Sequence, residues 1–149
     1  MKLINKLILI IFISINYCIT ASAADNLFEK AKKKFEKKDY EKSKFLFQRN
    51  IVFNPKNAES YLYLAKIFNT EENQEEEEKN LDTTLLLEPN NEEAIYMLIN
   101  IQLDRSNFEK ANTLMNRFTS VCKNMCNKKT EISKSCLLYT SPSPRDDQT

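Results

Sequence analysis

Glycine and histidine are both absent from the 149 residues. Without glycine there is no phosphate-cradling loop, and few positions accept a left-handed backbone cheaply. Such a chain favours helices joined by Pro and Asn turns over hairpins and sheets. Without histidine, the commonest general base and the commonest metal ligand are missing. No G-x-S-x-G elbow and no metal-spaced Cys/His set replaces them. The sequence therefore predicts a non-enzymatic protein with no cofactor and no metal. Its length suits one small domain, and 29% charged with 42% hydrophobic residues is an ordinary soluble balance.

The two ends stand apart from that balance. "MKLINKLILIIFISINYCITASAAD" has a positive start at Lys2 and Lys6, an apolar run from Leu7 to Ile15 and small residues at Ala21-Ser22-Ala23. Residues 1–24 read as a secretory signal, which places the mature chain in the periplasm; an uncleaved membrane anchor is the alternative reading. At the other end, "CLLYTSPSPRD", Cys136 to Asp146, resembles one translated frame of a transposon-end sequencing adapter. Residues 136–149 are accordingly read as a non-native tail, and the natural chain is expected to continue past Ser135. Between the ends, residues 25–135 hold 19 basic and 19 acidic side chains, so their net charge is zero.

Shifted by 34 residues, the chain aligns with itself. Pro55 falls on Pro89, and Tyr61, Leu64, Ala65 and Phe68 fall on Ile95, Leu98, Ile99 and Gln102. The spacing i, i+3, i+4, i+7 is one face of an α-helix, which Gln102 interrupts in the later copy. Asp39-Tyr40-Glu41 and Asn107-Phe108-Glu109 sit at equivalent points, each a cap, an aromatic and an acid for a first turn. Each proline ends one helix pair, because it has no N–H to donate and clashes with the preceding turn. Helices are expected over 25–37, 40–54, 57–70, 74–88, 91–104 and 107–122. Residues 124–135 begin either a seventh helix or a solvating cap.

This period and residue pattern resemble the tetratricopeptide repeat family. Tyr61, Leu64, Ala65, Phe68, Leu81 and Pro89 fill the family's pattern in the middle repeat; Leu27, Ala31, Ser43, Phe47 and Pro55 do so in the first. Ile95, Leu98, Ala111, Met115 and Phe118 fill it in the third. Lys30, Glu77, Thr84 and Lys123 depart from it, standing where Leu, Ala, Ala and Pro are expected. The resemblance implies an all-α, right-handed α-solenoid with repeats over 25–57, 58–91 and 92–125, and the start of a further helix or cap over 126–135. It also implies a concave groove, lined by the first helix of each pair, that binds a partner polypeptide. By position the groove would present Phe28, Lys32 and Phe35, then Leu62, Tyr63, Lys66 and Asn69, then Tyr96, Asn100, Leu103 and Asp104. Of the family's clamp for a partner's C-terminal carboxylate, only Lys32 is matched, with Phe28, Tyr63, Glu93 and Met97 elsewhere, so that clamp is not expected.

Two features stay open at this level. Cys122 and Cys126, spaced "CKNMC", either bridge at a bent helix end or pack as reduced thiols. Residues 30–56 carry ten Lys/Arg against three acids, whereas 71–93 carry ten acids against one Lys. Basic residues 30–44 and the N-terminal segment are candidate membrane contacts; the bland reading is complementarity between neighbouring repeats. No base-stacking platform accompanies the basic run, so no nucleic acid is expected. The functional expectation is a protein-interaction adaptor of the bacterial envelope, or else the N-terminal arm of a larger protein.

Overall fold

A computed structural model of the chain describes residues 26–140, with side chains through residue 134. The expected secretory signal at 1–24 and residues 141–149 of the adapter-like tail lie outside the described residues. Seven helices follow in order: α1 (26–36), α2 (Tyr40–Phe53), α3 (Ala58–Thr70), α4 (Gln74–Leu87), α5 (Glu92–Asp104), α6 (Phe108–Val121) and α7 (Lys128–Thr140). No strand occurs among the described residues. Helices α1–α2, α3–α4 and α5–α6 are antiparallel pairs stacked side by side, and α7 packs on α5 and α6.

The 34-residue register governs the backbone down to single residues. Helix α2 starts at Tyr40, α4 at Gln74 and α6 at Phe108; α3 starts at Ala58 and α5 at Glu92. Asparagine side chains cap most of these starts. Asn57 Oδ1 accepts from the Ser60 N–H at 2.7 Å, and Asn91 Oδ1 accepts from Ala94 at 3.0 Å. Asn73 and Asn107 cap α4 and α6 in the same way. The expected starts of α3, α5 and α6 ran one residue early because they included the caps, whereas α4 starts at residue 74 as expected. Within 124–135, left open above, helix α7 starts at Lys128, and its backbone continues through Thr140.

Each turn inside a pair needs one left-handed residue, and no glycine is available. Lys38, Glu72 and Ser106 take that place with φ of 58°, 56° and 57°. These three positions are again 34 apart, and the strain they carry is a backbone cost that a Cβ imposes.

Two apolar clusters fill the solenoid. Phe28, Ala31 and Phe47 meet Leu64, Ile67 and Phe68 in the first. Leu62, Ala65, Leu81 and Leu85 meet Ile95, Leu98, Ile99, Phe118 and Ile132 in the second. Helix α3 serves both, so nearly all of its circumference is covered. Polar ties cross the layers: Ser43 Oγ donates to the Ala31 carbonyl at 2.9 Å, and Asn50 Nδ2 donates to Ser60 Oγ at 2.8 Å. Gln102, the residue that interrupts the apolar stripe, is buried as a bridge. Its Nε2 donates to Glu78 at 3.0 Å while its Oε1 accepts from Asn107 at 3.1 Å. Tyr61, expected in the packing stripe, is only half-buried; its hydroxyl donates to the Pro55 carbonyl at 3.2 Å.

Two substitutions separate backbone strain from packing. Ser106→Gly relieves a left-handed side chain and should raise stability by about 1 kcal/mol. Leu64→Ala opens a cavity in the first cluster and should cost roughly 2–5 kcal/mol. Chemical denaturation of both variants beside the parent checks the pair; a Ser106→Gly variant less stable than the parent contradicts the strain assignment.

Candidate functional site

The residues expected to line the groove divide sharply. Leu62 is only 6% exposed and Leu103 is buried, and both belong to the second core cluster. Both thus serve the core first, because a first helix is flanked by its own partner and by the next pair, though the edge of Leu62 also lines a cavity at the α3–α5 groove. Phe28 is likewise core, in contact with Phe47 and with Tyr63. Tyr63 stacks on Phe47 at 5.0 Å and meets Phe35 edge-on at 5.1 Å, so its ring is packed within the fold. Lys66 lies over the Tyr63 ring at 4.8 Å and pairs with Glu93 at 2.8 Å, which neutralises the groove's central cation.

Asn69, Tyr96, Asn100 and Asp104 do come together. They line a cavity of about 620 Å³ between the C-terminal end of α3 and α5, bordered also by Glu72 of the α3–α4 turn and by Gln74 and Glu77 of the first turn of α4. Met97 and Ile101 supply its apolar wall. A second cavity, about 520 Å³, opens at the other end of the same two helices and is bordered by Glu59, Glu88, Glu92 and Glu93. The groove is thus acidic at both ends.

Glu77 is the unusual member. It occupies the position held by Ser43 and Ala111 in the other repeats, where helices approach closely and a small residue fits. Yet its side chain is nearly sealed, at 4% exposure. Burial pushes its carboxyl above the usual carboxylate range. Asn69 Nδ2, 3.2 Å from both carboxylate oxygens, partly opposes that shift, and nearby Asp104 adds to it. No cation pairs with Glu77 among the described residues. The sequence carried the signal, since Glu77 departs from the small-residue rule, but that departure read only as a weakened repeat. Among the described residues no group of three or more His, Cys, Asp and Glu is placed to hold a metal ion.

Tyr96 joins the groove to the end of the solenoid. Its hydroxyl donates to Glu131 Oε1 at 3.2 Å, Lys128 Nζ sits 5.5 Å from its ring centroid, and the ring packs on Phe118. Its expected free exposure is therefore corrected to a half-buried ring held partly by α7. The link from α6 to α7 is stapled. Cys122 and Cys126 are bridged with Cα atoms 5.3 Å apart, which α6 permits by ending at Val121. Lys123, standing where the repeat expects proline, keeps an N–H that proline would lack. That N–H and those of Asn124 and Met125 all point at the Glu92 carboxylate, at 2.8, 3.0 and 3.0 Å. These backbone donors hold the Glu92 carboxyl below the usual range.

The fold is a tetratricopeptide-type α-solenoid, as similarity to solved structures shows. The TPR domain of Arabidopsis OM64 superposes with a TM-score of 0.72 at 15% identity, covering 80% of this chain and 98% of that one. The Yersinia enterocolitica type III secretion chaperone SycD, in complex with a peptide of the translocator YopD, gives 0.69 at 12% identity, covering 79% and 92%. The first TPR of Spaghetti (RPAP3), bound to the HSP90 peptide SRMEEVD, gives 0.65 at 17% identity, covering 76% and 93%. No protein-family model and no curated protein matches the sequence.

Acid should loosen the α6–α7 link. Because the folded Glu92 carboxyl titrates below its unfolded value, its contribution is present above about pH 4.3 and is lost as pH falls through the lowered folded value. Glu92→Gln should therefore lower the melting temperature at pH 7 and flatten its fall on acidification; a variant that keeps the parent's acid slope contradicts the staple. Tyr96→Phe, which keeps the ring, should melt within a degree or two of the parent. Tyr96→Ala should melt clearly earlier, by the several degrees that about 1–3 kcal/mol represents in a small domain. Equal melting of the two Tyr96 variants would remove the ring from the packing.

Proposed function

We propose that this chain is a protein-interaction module whose α3–α5 groove takes a polypeptide segment bearing a lysine or arginine, with that cation seated against Glu77. The observation that carries the reading is the buried carboxylate of Glu77, at a position where the other repeats hold small residues and in the lining of the 620 Å³ cavity. An uncompensated buried acid is a stability cost that a bound cation would offset. Tyr96, Met97 and Ile101 supply an apolar wall for the stem of such a side chain. Asn69 and Asn100 supply amides for the segment's backbone.

Similarity to peptide-bound domains supports the general reading, since two of the solved structures above hold peptides. The charge argues for a different peptide class here. Phe28 is buried, Glu93 is spent on Lys66, and acids border both ends of the groove, so an acidic tail has no cationic clamp to meet. The secretory-type N-terminus supports work in the envelope, with a basic segment of an envelope protein as the partner. The polar groups of the groove are acids, amides and the Tyr96 hydroxyl, which donates to Glu131, and binding is the chemistry they support.

Glu77→Gln separates the two roles of this carboxylate. A folded value above the unfolded one means that protonation favours the fold, and that this advantage is lost as pH rises through the folded value. Removing the charge should therefore raise the melting temperature at pH 7, with the gain shrinking toward pH 4. The same variant should bind lysine- and arginine-bearing peptides from a displayed library at least about tenfold more weakly than the parent. Enrichment of acidic-tailed peptides by the parent, or unchanged basic enrichment by the variant, contradicts the proposal.

A further inference from the structure

Helix α2 buries Ser43, Phe47 and Asn50 and turns its other side outward. On that outer side Lys42, Phe45, Arg49, Val52 and Phe53 follow at helical spacing, and Lys56 stands in the next turn. Phe45 is 61% exposed, Val52 75% and Phe53 56%. The fold does not require this. At the same outer positions α4 carries Glu76, Lys79, Thr83 and Leu86, and α6 carries Lys110, Thr113, Arg117 and Ser120. With Leu87 and Val121 at the position of Phe53, α4 offers two leucines and α6 one valine, whereas α2 alone sets two aromatic rings beside two cations.

Complementarity between repeats does not use these cations up. Lys44 pairs with Glu71 of the next repeat, and Lys34 and Lys42 pair with Asp39. Lys30, Arg49 and Lys56 enter no ion pair among the described residues. Lys30 and Arg49 instead line a notch of about 350 Å³ with Asn26, Leu27 and Phe53, and among the described residues no carboxylate lines it.

We propose that this outer face of α2 docks on an anionic lipid surface. Phe45, Val52 and Phe53 enter the boundary between headgroups and acyl chains, while Lys42, Arg49 and Lys56 stay at headgroup level on flexible stems. The notch between Lys30 and Arg49 receives a headgroup phosphate beside the Phe53 ring. A helix lying flat suits this face, whose cations and apolar residues interleave along about 17 Å of helix axis from Lys42 to Phe53. A lipid surface fits better than an acidic protein because the exposed apolar bulk of Phe45, Val52 and Phe53 needs an apolar phase beneath the anions. The attraction to anionic lipid is screened by salt. This surface is separate from the α3–α5 groove, so either proposal can fail alone.

The chain has no tryptophan, so one introduced indole reports one place. Phe53→Trp and, separately, Phe45→Trp in the full chain are mixed with phosphatidylcholine vesicles, with or without phosphatidylglycerol. With phosphatidylglycerol, each emission should shift to the blue and be quenched at least about twofold by brominated acyl chains, less so in high salt. Adding Lys30→Glu and Arg49→Glu should abolish both effects while circular dichroism stays unchanged. Leu86→Trp, on the exposed side of α4, should show neither effect. The proposal is overturned if neither α2 indole responds, if Leu86→Trp responds equally, or if the response survives charge reversal. A blue shift that appears on concentrating the protein without vesicles would assign the face to a second copy of this chain instead.

Discussion

A pair of helices cannot hide both of its apolar faces, and that single constraint explains most of this molecule. Helix α3 shows it best, giving Leu64, Ile67 and Phe68 to one cluster and Leu62 and Ala65 to the other. Its neighbours must therefore arrive at a fixed distance and angle, which a repeated chain length supplies. The left-handed residues, the asparagine caps and the helix starts all recur every 34 residues for that reason. Charge then adds registry across the joints. Lys44 meets Glu71 and Lys66 meets Glu93, each pair spanning adjacent repeats. Arg105 and Lys110 both reach Glu78 across the same joint as Lys66 and Glu93. Such partly exposed pairs contribute little energy each, but they favour one sliding position over others.

Much of this was legible before any coordinates. Pro55 and Pro89 mark the ends of pairs because proline ends helices, and Asn107 marks a start because a short amide caps it. The left-handed positions were not legible. Lys38, Glu72 and Ser106 resemble nothing in common as side chains, and only the length of the turn imposes their backbone. Gln102 was misleading for a related reason: alone it spoils an apolar stripe, and only the approach of Glu78 and Asn107 makes it a buried bridge.

The groove was half legible. Positional reasoning found Asn69, Tyr96 and Asn100, which do meet at one cavity. It did not foresee that Leu62 and Leu103 are buried in the core, because a single helix's stripe underestimates the arc that two neighbours cover. It also passed over Glu77, whose meaning depends on burial rather than on type. The cysteines were undecided on spacing alone, and the break in α6 at Val121 is what brings them within bridging reach.

Glu77 is where the fold's demand for a small residue and the groove's chemistry disagree, so its protonation tests the account most directly. Carbon-13 NMR of the glutamate side-chain carboxyls, followed through a pH titration with and without an arginine-bearing peptide, would measure it. The account predicts that Glu77 titrates above an ordinary glutamate in the free protein and falls markedly when the peptide is bound, as a seated cation stabilises the charged form. An ordinary value in the free protein, or one that the peptide leaves unmoved, would contradict it.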